Sequence, residues 1–373
     1  MVSLSALSPP PAPPLPRVSD SCRLIFLILS MSGGRGGRDT DGGAAASLDS
    51  TPGKVNTGSE EAGLSREEAE DVLQAAGTGG PLSASVSALE LLQKEEETRS
   101  IVTFCSLLDS VLGGGLPVGR TAEICGVPGV GKTQLCLQLA VDVQVPACFG
   151  GVGGQVIYID TEGSFLLQRV VDVATAAVRH CSLLVEDDDQ RAAMMTFTVE
   201  IILSNIFLVR SRDYVELLAE LHLLPDFLSD HPGVRLLVID SVAFPFRQID
   251  NLSQRTRLLH SLAQQLAAMA NTHNVAVVTT NHMTTRLRGG LSQLVPALGE
   301  SWGHASSLRL LLQWSGSQRL ATILKSPGHV ETSVPYQINS DGFRDADQSE
   351  QPPSKRARTL PDQSAASQSD ACC

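Results

Sequence analysis

The stretch “GVPGVGKT”, residues 126–133, decides how the rest of the chain is read. It fits the spacing G-x-x-x-x-G-K-[ST] in the context that gives this spacing physical meaning. A strand-like apolar run, 121–126, leads in, and a helical pattern starting near Lys132 leads out. Glycines let backbone N–H groups turn inward around phosphates, and the start of the following helix adds partial positive charge. Gly126, Val127, Pro128, Gly129, Val130 and Gly131 are then the cradle of a nucleoside triphosphate such as ATP. Lys132 reaches the β- and γ-phosphates, and the Thr133 hydroxyl ligates Mg²⁺.

Outward from this loop, apolar runs alternate with amphipathic stretches, the signature of a parallel sheet wrapped by helices. Strands are predicted at 121–126, 156–160, 206–210, 234–240 and 275–280, with helices beginning near Lys132, Phe165, Tyr214 and Leu252. In the last helix Leu258, Leu259, Leu262, Leu266 and Met269 form one apolar face. Beyond it, 308–314, 320–325 and 334–338 read as short strands joined by turns, hairpins that extend the sheet. The fold class is α/β.

Two of these strands end in carboxylates. “LLVID” carries Asp240 to its tip, where a phosphate loop upstream makes it the natural second ligand of the metal. “VIYIDTEG”, 156–163, supplies Asp160 and Glu162 at another strand end. A glutamate placed there beside a γ-phosphate is suited to polarise the attacking water as a general base; taken alone it reads equally as an acid in a turn.

The chain has 373 residues, 42% of them hydrophobic and 18% charged, enough for a sizeable core. Its formal charge of −12 argues against a protein that coats nucleic acid through global basicity, but leaves room for a local basic loop. None of the eight cysteines forms a C-x-x-C pair, which fits a reducing, intracellular compartment without a zinc site or disulfide framework. “LIFLIL”, 24–29, is too short for a membrane span or a signal-peptide core, so no membrane is expected. Residues 1–60 are rich in Pro and then in Gly, Ala and Ser, which predicts disorder, and Met31 would serve equally as initiator. Helices are expected at 63–76 and 88–97, on either side of a Gly/Ser linker. The expected division is an atypical N-terminus (1–60), a small helical segment with linker (61–100), an ATPase core (101–345) and a disordered tail (346–373).

Together, “LLDSVLGGGLPVGRTAEICGVPGVGKTQ”, “YIDTEGSF” and “LLVIDSVAFPFR” resemble the ATPase core of the RecA-type recombinases, over about residues 103–344. The combination is far more specific than any one motif. “LLPDFL”, “AFPFR” and “LVPALGESWGHA” resemble most the accessory paralogues of the eukaryotic strand-exchange recombinase. The resemblance implies weak ATP hydrolysis and heteromeric complexes with sister paralogues. These complexes would assist the main recombinase filament on single-stranded or branched DNA. Further implications are homologous-recombination repair of double-strand breaks and cross-links, meiotic recombination, junction processing, and a nuclear location with some cytoplasmic protein. It also assigns Glu162 the catalytic carboxylate. Two departures stand out. Only 63–76 resembles the closing helix of the family's N-terminal helix-hairpin-helix domain, and no Phe-x-x-Ala self-assembly peptide is found in the linker, which disfavours long homofilaments.

Two segments follow strand ends on the ligand side of the sheet. The first, 242–252, carries Phe244, Phe246 and Arg247; the second, 282–299, carries Arg286 and Arg288. Aromatic rings stack bases and arginines neutralise phosphates without sequence preference, so these residues are the candidates for DNA contact. Read alone, the phenylalanines fit a core and the arginines a solvated rim. Arg255 and Arg257 belong either to the same patch or to a subunit interface. “VVTTNHM” ends a buried strand on Asn281-His282, where the family resemblance implies a γ-phosphate contact that begins the second DNA segment. The family usually has glutamine at the place of His282, and a neutral imidazole offers one N–H with shorter reach. “KSPG”, 325–328, resembles the family's segment that reaches an adjacent subunit's nucleotide, and a plain hairpin turn explains it nearly as well. “SKRAR”, with Lys355, Arg356 and Arg358, resembles a nuclear localisation signal. The terminal Cys372-Cys373 reads as a flexible, exposed pair. The competing functions are an interaction scaffold in which ATP is structural, and a helicase-like motor on the same fold.

Overall fold

The computed structural model describes residues 87–97, 99–288, 291–328 and 330–346. The expectations for 1–60, 63–76, Lys355, Arg356, Arg358 and Cys372-Cys373 lie outside the described residues. The chain divides into two units, Met1–Glu95 and Glu96–Cys373. The described residues of the first lie at its end, in the helix Ala88–Glu97 (α1), which runs past the division. Its start is a reciprocal cap: Ser87 N–H donates to Glu90 Oε2 at 2.7 Å, and Glu90 N–H donates to Ser87 Oγ at 3.1 Å.

The second unit is built on one nine-stranded sheet. Its strands are β3 (Thr121–Gly126), β4 (Gln155–Asp160), β5 (Ile206–Arg210), β6 (Val234–Asp240), β7 (Ala276–Asn281), β10 (Leu308–Ser315), β11 (Gln318–Lys325), β12 (Ser333–Asn339) and β13 (Gly342–Asp345). A two-residue pair, β1 (Ser100–Ile101) with β2 (Leu116–Pro117), stands apart from it, as does the hairpin β8 (Met283–Arg288) with β9 (Leu291–Pro296). The spatial order in the main sheet is β13-β12-β11-β10-β3-β7-β6-β4-β5. From β10 to β5 every neighbour runs parallel, and from β10 to β13 every neighbour runs antiparallel.

The central strands are apolar at nearly every position because both faces are covered. Val156 and Tyr158 of β4, with Leu236 and Val238 of β6, pack into a core with the helices Lys132–Asp142 (α3) and Leu167–Leu183 (α4). The alternate residues Ile157, Ile159, Leu237 and Ile239 pack into a second core with Tyr214–Asp230 (α7) and Leu252–His273 (α9). Successive side chains of a strand point to opposite faces, so one apolar run serves two cores.

The main strands stand within two residues of the positions read from the sequence, and α3, α7 and α9 begin at the expected residues. Three differences carry weight. The segment 282–299, read as a loop, contains the β8/β9 hairpin and ends where the short helix Gly299–Ala305 (α10) begins. The helices Asp188–Met194 (α5) and Val199–Ser204 (α6) lie in a stretch for which no element was expected. A short helix Ser106–Val111 (α2) precedes the phosphate loop, and a single turn Ala243–Phe246 (α8) follows β6.

Because β3, β4, β6 and β7 are parallel, their C-terminal ends lie along one edge of the sheet. Cys125 pairs with Asn281 and Asp160 with Asp240 in register, which brings Gly126, Asp160, Asp240 and Asn281 together there. This is the edge at which open α/β sheets hold ligands.

Candidate nucleotide and nucleic-acid site

The phosphate loop is shaped by close packing from behind. A Cβ on Gly126 would lie 2.6 Å from Leu312 O of β10, and one on Gly131 would lie 2.3 Å from Ile338 Cδ1 of β12. Gly129 and Gly131 have φ of +76° and +117°, values that favour glycine. Val130 is buried between them, and its carbonyl accepts the Tyr336 hydroxyl at 2.8 Å. The antiparallel extension is therefore the wall against which the loop is moulded. Arg169 of α4 joins the two, donating to Gln134 Oε1 at 2.7 Å and to the carbonyls of Ser340 and Asn339 at 2.7 and 2.6 Å.

Gly131 gives α3 no side-chain cap, so the first backbone N–H groups of that helix face the loop without a side-chain partner. Lys132 Nζ donates to the carbonyls of Gly126 and Val127 at 2.9 and 3.3 Å. Burial pushes its ammonium below the usual lysine range, against the opposing pull of Asp240 and Glu162.

Asp240 is the hub. Its Oδ2 accepts Thr133 Oγ1 at 2.7 Å and Tyr158 OH at 3.0 Å, and its Oδ1 accepts Thr280 Oγ1 at 2.5 Å. Ser164 Oγ stands 3.5 Å from Oδ2. Asp240 is buried among these hydroxyls with no ion pair to Lys or Arg among the described residues. A buried carboxylate joined to a threonine hydroxyl at the head of a phosphate loop is a hard oxygen-donor set, which suits Mg²⁺. The cradle and this pair thus fit a Mg²⁺-bound nucleoside triphosphate. Tyr158, Thr280 and Ser164 were not singled out in the sequence. Their signal is a hydroxyl at or beside a strand tip, which becomes informative only once the tips are known to be neighbours.

Asp160 organises the next turn. Its Oδ1 accepts the N–H groups of Glu162 and Ser164 at 3.3 and 3.0 Å, and its Oδ2 accepts that of Phe165 at 3.2 Å. The turn presents Glu162, whose Oε1 receives Ser241 Oγ at 2.5 Å and His282 Nε2 at 2.7 Å. Burial alone would raise the Glu162 carboxyl, but the bonds from His282 and Ser241 and the charges of His282 and Lys132 outweigh it. The carboxyl is held below its usual range.

The pair Asn281-His282, read together as a phosphate-sensing tip, is divided by strand alternation. Thr280 turns to Asp240 and His282 to Glu162, whereas Asn281 is fully buried and donates Nδ2 to Glu123 Oε1 at 2.6 Å. Glu123 is in turn paired with Arg309 Nε at 2.7 Å. The Asn281 amide is committed to this buried charge pair, and only His282 faces the carboxylate.

The candidate DNA residues divide as well. Phe244 is exposed at the start of α8 and Arg247 is exposed just after it. Phe246 is fully buried in the second core, its ring 6.3 Å from that of Tyr214, so its assignment to DNA contact is corrected to packing. Arg286 is exposed on β8 and paired with Glu300 of α10 at 3.0 Å, and Arg288 ends the same strand opposite Leu291. His282 stands at the base of the hairpin, where its carbonyl accepts the N–H of Ala297 at 2.8 Å. Arg255 lines a different feature, a cavity of about 360 Å³ between α9 and α10. Lys325 is held within the chain, donating to the carbonyls of His304 and Ser306 at 2.8 and 2.6 Å.

Comparison with known proteins agrees with this geometry. The Rad51 family model matches residues 94–346. DNA repair protein RAD51 homolog 3 of the hamster Cricetulus griseus is 52% identical over 303 residues, which cover 77% of this chain and 83% of that protein. The protein of the same name from Dictyostelium discoideum is 41% identical over 272 residues, 72% of this chain and 71% of that protein. Homolog 3 is the C paralogue of the eukaryotic recombinase, the one that “LLPDFL”, “AFPFR” and “LVPALGESWGHA” resemble. The chain belongs to the Rad51 family of RecA-type recombinases.

Proposed function

We propose that this chain is an ATP-dependent, DNA-binding accessory protein of homologous recombination that acts in DNA repair within complexes of sister paralogues. The observation that carries this is the Thr133–Asp240 bond of 2.7 Å at the head of the phosphate loop, on the edge that also holds Glu162 and the two exposed basic segments. Residues 126–133 would hold the phosphates, Lys132 would neutralise their charge, and Thr133 with Asp240 would hold Mg²⁺. Bound Mg²⁺ would supply charge neutralisation at the phosphates. Glu162 would accept the proton of the attacking water. Phe244, Arg247, Arg286 and Arg288 would meet single-stranded or branched DNA, and His282 would tie their position to Glu162. The resemblance to the recombinase paralogues adds weak, DNA-stimulated hydrolysis, support of the main recombinase filament and work in cross-link repair, meiosis and junction processing. The basic run at Lys355, Arg356 and Arg358 would direct the chain to the nucleus. The proposed division keeps the catalytic unit at 101–345, after an atypical N-terminus (1–60) and a helical segment with linker (61–100) and before the tail (346–373).

A second reading, a scaffold in which ATP mainly joins subunits, is favoured by the same His282–Glu162 contact, since a base tied to an imidazole turns over slowly. Glu162→Gln separates the two, leaving assembly and repair intact if ATP is structural.

The test is titration of labelled single-stranded DNA with the chain purified alongside sister paralogues, with and without ATP-Mg²⁺. ATP should tighten binding by the wild type and not by Lys132→Ala. The double variant Arg286→Ala/Arg288→Ala should keep ATP binding and lose at least about tenfold in DNA affinity. No ATP dependence together with no effect of the arginine changes would overturn the proposal.

A further inference from the structure

Ser241 follows Asp240 and is fully buried. Its backbone is tied to the neighbouring strand tip: Ser241 N–H donates to Thr161 Oγ1 at 2.8 Å, and the Thr161 hydroxyl donates to Ser241 O at 2.8 Å. Its hydroxyl has three neighbours: the Phe244 N–H, Glu162 Oε1 and, at the limit of hydrogen-bond distance, His282 Nε2 at 3.5 Å. It accepts the N–H of Phe244 at 3.1 Å, so its one proton is directed to Glu162 Oε1 at 2.5 Å. His282 Nε2 reaches the same oxygen at 2.7 Å, while Oε2 has no hydrogen-bond partner among the described residues. One carboxylate oxygen is therefore anchored from both segments that follow the strand tips, and the other is left free to take a proton.

We propose that Ser241 is a positioning residue for Glu162. Its hydroxyl fixes Oε1 so that Oε2 is presented as the base, and its bond from Phe244 makes that fixing depend on the turn that carries an exposed aromatic ring. This rests on Glu162 being the base. It adds a route from the first DNA segment to hydrolysis, beside the route through His282. A strand seated on Phe244 would shift the α8 turn, alter the Ser241 hydroxyl and so change how Oε2 is held. The titratable groups facing Glu162 are Lys132 and His282; Ser241→Ala retains both side chains and removes only the 3.5 Å approach of the hydroxyl to His282 Nε2.

Ser241→Ala removes the hydroxyl and little else. In the full complex its kcat for ATP should fall about tenfold, a fraction of the roughly 10²–10⁴ that a positioned base contributes, with KM unchanged within about twofold. A hydrogen bond to the charged form favours that form, so its loss should move the acidic limb of the pH–rate profile to higher pH. Stimulation by single-stranded DNA should shrink in parallel. Ser241→Cys, a weaker donor of similar shape, should fall between. A second measurement needs no turnover: ¹³C NMR of the Glu162 carboxyl, assigned with Glu162→Gln, should show the same upward move in Ser241→Ala without nucleotide. Wild-type kcat with an unmoved pH limb and an unmoved carboxyl titration would overturn the proposal. If the wild type itself does not hydrolyse ATP, the assignment of Glu162 as a base fails, and the carboxyl titration alone decides whether Ser241 holds it.

Discussion

Phe244 and Phe246 stand two residues apart on a single turn, and half a turn of helix separates a ring at the surface from a ring in the core. The sequence holds both in one short run after Asp240 and contains no second turn of helix from which a face could be read. The division is settled by the fold, which places Phe246 in the same core as Val242 and Ile249, with the Tyr214 ring 6.3 Å away. Asn281 and His282 present the same difficulty on a strand, where alternation sends one side chain to Glu123 and the next to Glu162. The identity of Asn281 does not disclose that its partner is a glutamate 158 residues away. These placements have separable consequences. Phe246→Ala should cost about 3–5 kcal/mol of stability by opening a core cavity. Phe244→Ala should change stability by no more than about 0.5 kcal/mol while weakening single-stranded DNA binding. Denaturant midpoints and fluorescence anisotropy on the two variants distinguish them; equal loss of stability in both would contradict the burial that separates them.

Among the elements, the central parallel strands β3, β4, β6 and β7 were the most legible part of the fold, because a strand covered on both faces is an unbroken apolar run between turn signals. The β8/β9 hairpin was not legible, since “MTTRLRGGLSQLVP” mixes polar, basic and apolar residues without a clean period and carries the glycines of a loop. The short helices α5 and α6 have too few turns to show a repeating face. The C-terminal strands were expected, but not their service to the phosphate loop, which is a matter of packing between elements some 200 residues apart. That service is measurable. Tyr336 is buried, its ring stacks on Phe343 at 4.4 Å, and its hydroxyl donates to Val130 O within the loop. Tyr336→Phe keeps the ring and leaves a buried carbonyl without this donor, a cost of about 1–3 kcal/mol. Part of that cost should fall on the loop, so the thermal stabilisation conferred by added ATP-Mg²⁺ should shrink with the melting temperature. A variant that melts lower but gains the full increment from ATP would show that the extension steadies the sheet without shaping the cradle.

For the whole molecule, the formal charge of −12 sets the terms on which DNA is met. A polyanion is repelled at long range, so binding rests on a few arginines that act within a Debye length, about 8 Å at physiological salt. Arg247, Arg286 and Arg288 are the exposed or hairpin-borne candidates, and Arg286 already shares its charge with Glu300 at 3.0 Å. Each phosphate neutralised on a single strand contributes about 0.7 to the slope of log affinity against log salt. Three such contacts give a slope of about −2, far shallower than that of a protein that coats DNA through global basicity. Arg286→Ala/Arg288→Ala should bring it near −0.7, and Glu300→Gln, which frees Arg286 from its partner, should tighten binding without steepening the slope beyond about −2. Anisotropy titrations between 50 and 200 mM salt measure all three. A wild-type slope much steeper than this would mean that surfaces beyond these arginines hold the strand. An unchanged slope in the double variant would remove the hairpin from the interface altogether.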